Sequence, residues 1–100
     1  MASGKADVSI KVIDGAGETV LDKAVEVAKG RYVISVMREL TEIETTEYSG
    51  MGEFITSIAG ISSGETSYWG FYINGEYATV GAGFFLIGED VEITWKLEEM

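Results

Sequence analysis

One hundred residues, 46% of them hydrophobic, 11% aromatic and 24% charged, make one small globular domain, too apolar for a disordered chain and too evenly mixed for a membrane protein. Seventeen acids against seven bases give a formal charge of -10, which repels phosphate backbones and anionic lipid headgroups, sets nucleic acid and membrane surfaces aside, and favours cations or neutral ligands. With no cysteine and no histidine, the chain has no disulfide, no thiolate nucleophile, no zinc-thiolate site and neither the usual neutral-pH general base nor the commonest transition-metal ligand, so an enzyme is not expected.

The start, Met1-Ala2-Ser3-Gly4-Lys5, lacks the apolar core of a signal peptide, and no stretch reaches the roughly 20 apolar residues of a membrane span. Residues 1–7 are expected to be a disordered tail or cloning remnant, followed by one domain over residues 8–97, with any targeting signal upstream. Val8, Ile10 and Val12 alternate with Ser9 and Lys11 and predict a strand, closed by the turn pair Asp14-Gly15. Thr19 to Ala28 predicts its hairpin partner, ending at Gly30. From Val33 to about Ile43, Val33, Val36, Met37 and Leu40 recur at helical spacing with Arg38, Glu39 and Glu42 elsewhere on the wheel. This modest helix former needs a sheet to pack on.

After the acidic stretch Glu42 to Glu53, Phe54 to Ile58 predicts a strand. Tyr68 to Ile73 then meets Glu76 to Val80 across Asn74-Gly75, a two-residue turn whose positive φ values these residues tolerate best. The last strand, Val91 to Leu97, again alternates apolar and polar residues. Two strands, a helix, then three or four strands predict an α+β fold, a β-grasp-like mixed sheet packed on one helix.

The aromatic run Tyr68-Trp69-Gly70-Phe71-Tyr72 is the most informative stretch. On a strand Trp69 and Phe71 share one face, with Tyr68, Gly70 and Tyr72 on the other, so both faces carry rings and one must be core. Two tyrosines around a glycine suit a flat, partly polar ligand lying against the backbone; the plainer reading is that they fill cross-strand space. Gly81 and Gly83 lie in a stretch without the Lys-Ser/Thr pair of a phosphate loop. Small residues there are expected to allow a tight crossing while Phe84, Leu86 and Ile87 plug the core. Glu42, Glu44, Glu47 and Glu53 have the oxygens a hard cation prefers but no calcium-loop spacing, and a solvated acidic face explains them. No histidine and no Ser-x-x-Lys pair activates any serine, so nucleophilic catalysis is not expected.

Four blocks, Phe54-Ile55-Thr56-Ser57-Ile58 with Gly60-Ile61, Tyr68 through Glu76, Val80-Gly81-Ala82, and Gly88 through Trp95, resemble in order the transcobalamin-like domain of bacterial surface proteins and lipoproteins, the DUF4430 family. The resemblance covers about nine-tenths of the chain. It implies a β-grasp domain that binds a soluble ligand, with cobalamin or a related corrinoid foremost, in a cell-surface or secreted bacterial protein that supplies other domains. Carried over by position, Trp69, Gly70 and Phe71 face the ligand with Tyr68 and Tyr72 beside them, whereas alternation puts Trp69 and Phe71 in the core. Without histidine no imidazole reaches cobalt, so a corrinoid keeps its own lower ligand or is held by packing. The alternative function, from a different class, is a structural or adhesive surface module meeting a protein or glycan through its tyrosines and acidic edge.

Overall fold

The computed structural model describes residues 4–50, 52–78, 81, 83 and 85–99. Strand β1 (Lys5–Ile13) carries the alternation of Val8, Ile10 and Val12 back to Ala6, and all four side chains are buried. Residues 5–7 therefore lie in the sheet, not in a tail. Ala6 sits opposite Val27, and the Asp7 N–H donates to Asp90 Oδ1 at 2.8 Å. Strand β2 (Thr19–Ala28) pairs antiparallel with β1, completing the expected opening hairpin. Asp14 holds its turn by accepting the N–H groups of Ala16 and Glu18, each at 2.9 Å.

Helix α1 (Val33–Leu40) stops earlier than the predicted Ile43, because Thr41 is extended and Ile43 already pairs with Ile58. Val33, Ile34, Val36 and Met37 are buried, and Leu40 packs half-buried against the same core. Eight residues are too few to be helical alone in water, so this core, shared with β1 and the last strand, holds the helix.

The acidic stretch Glu42 to Glu53, for which the sequence predicts no element, carries β3 (Ile43–Tyr48) and the start of β4 (Gly52–Ile58), which pair as an antiparallel hairpin. Its β-branched Ile43, Thr45 and Thr46 suit a pleated surface, and Glu44 and Glu47 stay exposed. The short β5 (Ile61–Ser62) completes a three-stranded sheet in the order β3-β4-β5. Strands β6 (Ser67–Ile73), β7 (Glu76–Tyr77) and β8 (Val91–Glu99) join the first hairpin in a five-stranded sheet, β2-β1-β8-β6-β7. The β1–β8 pair is parallel and the others antiparallel, so this sheet is mixed. Among the described residues one short helix stands against eight strands, so the described domain is mostly β, which corrects the expected α+β balance.

Asn74 and Gly75, at φ 52° and 83°, make the expected two-residue turn between β6 and β7. Asn74 Oδ1 also accepts the Glu92 N–H at 2.9 Å, tying the turn to β8. Registry places Ile10 beside Ile93, Val12 beside Trp95, and Phe71 beside Trp95, so β1, β8 and β6 present one continuous apolar face. Of the residues expected to plug the core after Gly81, Ile87 is fully buried but Leu86 is 48% exposed. Hydrogen bonds of Val33 N–H to Phe85 O and Ile87 N–H to Arg31 O pin the backbone there, and the intervening Leu86 turns outward. Val80, Ala82 and Phe84 lie outside the described residues. Among the described residues no helix is long and apolar enough to cross a membrane.

Candidate functional site

Between β4 of the small sheet and β6 of the large one lies a cleft of about 370 Å³, within the usual range of small-molecule sites. Phe54, Ile55 and Thr56 line it from one side, Trp69, Phe71 and Trp95 from the other, with Tyr68, Tyr77, Ala78 and Gly81 also in its wall. Ser63 and Gly64 line it from the β5–β6 connection and Ser67 from the start of β6.

Each wall is fixed by local chemistry. Trp69 Nε1 donates to the Ile61 carbonyl at 3.1 Å, anchoring β6 to β5. Phe71 stacks on Trp95 with centroids 4.5 Å apart and planes 11° apart, and meets Phe85 edge-on at 6.2 Å. The Ser63 hydroxyl donates to the Thr56 carbonyl at 3.1 Å, and Ser67 Oγ accepts the Gly64 N–H at 2.8 Å, so the connection is tied to β4 and to itself. Gly81 and Gly83 make the expected tight crossing over β4. A Cβ on Gly81 would lie 3.0 Å from the Glu53 carbonyl oxygen, and one on Gly83 would lie 3.0 Å from the Glu53 nitrogen.

The aromatic run is split between two faces. Trp69 and Phe71, 7% and 6% exposed, belong to the core and also form the cleft wall, so the two sequence arguments about them are compatible. Gly70 and Tyr72 do not line the cleft. They stand on the outer face, where Tyr72 Oη donates to Glu98 Oε1 at 2.6 Å and the Tyr77 ring meets the Tyr72 ring edge-on at 5.5 Å. Glu98 lies over Gly70, and a Cβ there would come within 2.5 Å of its Oε2. The bond to this carboxylate, with some desolvation, pushes Tyr72 up to about 12, and the same carboxylate raises Tyr68. The sequence reading did not select Phe54, Thr56, Ser63, Ser67, Tyr77 or Trp95 as site residues; Phe54, Thr56 and Trp95 fall within the blocks quoted for the family resemblance.

A second hollow, of about 730 Å³, lies at the end of α1 among Arg38, Glu39, Glu42 and Glu44. Those four side chains are exposed, and the hollow is a charged surface without aromatic walls. Glu53 stands apart from it, accepting from Arg38 and from the Thr45 hydroxyl, and these bonds hold its carboxyl below the usual range. Among the described residues no three acidic side chains gather as a metal site.

The family model described as a domain of unknown function, DUF4430, matches residues 30–99. Among solved structures the chain is similar to haptocorrin in complex with Cbi, at 22% identity and a TM-score of 0.83, covering 99% of this chain and 26% of that one. It is also similar to a Ruminococcus gnavus protein conjectured to bind metal, at 18% identity and a TM-score of 0.76, covering 95% of this chain and 98% of that one. At these identities the likeness shows the fold. No curated protein matches the chain.

Proposed function

The chain belongs to the DUF4430 family, and on that premise we propose that it is a non-enzymatic ligand-binding module whose leading ligand is cobalamin or a related corrinoid, held at the cleft between β4 and β6. The observation that carries this reading is the cleft's lining: six aromatic residues around a hollow of about 370 Å³ with no charged side chain among its described walls. Such walls receive an apolar or flat neutral body, and the aromatic residues supply area at low entropic cost. The likeness to haptocorrin complexed with Cbi supports the choice of ligand.

The hollow is far smaller than a corrinoid, so it takes one edge of the ligand and leaves the rest to solvent or to a neighbouring domain. Affinity of the isolated domain is accordingly weak. In this reading Trp69 and Phe71 form the floor and Tyr68 the wall beside them, while Gly70 and Tyr72 stiffen the strand from behind through Glu98. The architecture is read as β-grasp-like, with the helix held against the mixed sheet through a common core. The chain spans 26% of the haptocorrin chain, and the module is read as one part of a bacterial surface or secreted protein.

Titrating the full chain with cobalamin while following the fluorescence of Trp69 and Trp95, corrected for absorption by the ligand, tests this. A saturable change is expected. Its absence up to millimolar ligand would remove the reading.

A further inference from the structure

Tyr68 and Tyr77 are the tyrosines of the cleft wall. Tyr68 is half-buried, and Tyr77 is 57% exposed on a strand of two residues. A ring that swings freely must be ordered when a ligand arrives, and that ordering is subtracted from affinity.

What steadies these two rings lies outside the cleft. Glu98 is the cross-strand partner of Tyr68, and its hold on the Tyr68 hydroxyl is the main cause of that group's raised pKa. The same carboxylate accepts the Tyr72 hydroxyl at 2.6 Å, and Tyr72 in turn meets the Tyr77 ring edge-on at 5.5 Å. One carboxylate therefore braces both wall tyrosines, Tyr68 directly and Tyr77 through Tyr72, although neither Glu98 nor Tyr72 lines the cleft. Gly70 makes room for it: a Cβ there would lie 2.5 Å from Glu98 Oε2 and 3.2 Å from the Tyr72 ring. Among the described residues no basic side chain pairs with Glu98. Its charge-assisted bonds go to the phenols instead.

We propose that Glu98 is a positioning residue for the cleft: from the outer face of the large sheet it fixes the Tyr68 and Tyr77 rings, and so sets ligand affinity without touching the ligand. This rests on the cleft being the ligand site and adds how its wall is held.

Two measurements on the full chain test it, cobalamin affinity from tryptophan fluorescence and carbon-13 relaxation of labelled tyrosine rings in the unliganded protein. In Glu98→Ala the Tyr68 and Tyr77 rings are expected to gain mobility, and cobalamin to bind about three- to tenfold more weakly, the cost of ordering a freed side chain on binding. Glu98→Gln, which keeps one acceptor oxygen, restores part of that loss. Glu92→Gln removes a charge from the same strand, beside Ser9 and away from the rings, and leaves affinity unchanged. Because Glu98 acts through two hydroxyls, Tyr68→Phe combined with Tyr72→Phe, which keeps every ring, weakens binding as Glu98→Ala does, and adding Glu98→Ala to that pair costs nothing more. A fully additive loss is the mark of a general loosening of the strand and overturns the proposal. So do unchanged ring mobility or unchanged affinity in Glu98→Ala, a Gln variant that binds no better than the Ala variant, or an equal loss in Glu92→Gln. If the wild type binds no cobalamin, the ligand reading falls, and ring mobility alone decides whether Glu98 holds the wall.

Discussion

Glu98→Gln removes the anion that sits over Gly70 while keeping an oxygen that can accept from Tyr72. With the carboxylate present, Tyr72 titrates at about 12 against an ordinary 10, which makes it about a hundredfold weaker as an acid. At pH 11, about one-tenth of Tyr72 is then ionised, against about nine-tenths of a free phenol. In the variant Tyr72 moves back toward its ordinary value and Tyr68 falls with it, so more phenolate absorbance develops at that pH. The sign for stability follows from the raised value: the neutral phenol makes the bond, so its contribution is complete below pH 10 and is lost as pH rises through about 12. Wild-type protein should therefore lose more stability across that window than E98Q does. Superimposable phenolate titrations for the two proteins would refute the reasoning, because the carboxylate would then not control these tyrosines.

Phe71→Leu keeps much of the volume but removes the stack on Trp95 and the edge contact with Phe85. A loss of about 1–2 kcal/mol is expected, seen in calorimetry as a melting temperature lower by on the order of 10 °C; unchanged melting would contradict it. Gly81→Ala brings a methyl group 3.0 Å from the Glu53 carbonyl oxygen and 3.2 Å from the Phe54 ring, costing about 1–3 kcal/mol in denaturant titrations. Gly64→Ala, whose new methyl would meet Ser67 Oγ at an ordinary 3.5 Å, is the control and should change little. Arg38→Ala frees Glu53, whose depressed value stabilises the fold above the ordinary carboxylate range and loses that contribution as pH falls through it. The variant's stability should thus fall less on acidification, by no more than about 1 kcal/mol because the pair is partly exposed; equal acid sensitivity in chemical denaturation would argue against the bond.

The sequence made the large sheet legible because its strands obey simple rules. Val8, Ile10 and Val12 alternate against polar neighbours, Val91, Ile93 and Trp95 do the same, and Asn74-Gly75 can hardly be anything but a tight turn. The β3–β4 hairpin was harder to read, since Glu44 and Glu47 project to solvent from a strand with little buried surface and acids suggest a loop. The helix end was missed for a related reason: Ile43 continues the helical spacing of Leu40 yet belongs to the next strand. At the site, alternation separated Trp69 and Phe71 from Tyr68 and Tyr72, but a cleft is made by whatever crosses opposite. Nothing local to β6 shows that Phe54 and Thr56 would face it, or that Trp95 would stack on Phe71 with its N–H unspent. Those facts depend on long-range registry, such as Phe71 lying directly beside Trp95.

Mapping backbone amide shifts of the labelled chain during a cobalamin titration tests most directly whether this domain receives a ligand between its two sheets. Saturable shifts concentrated at Phe54, Thr56, Ser67, Trp69 and Phe71, with Gly75, Glu92 and the β2 edge unmoved, are the predicted result. Saturable shifts confined to the outer face around Tyr72 and Lys96, or no shifts at all, would contradict it.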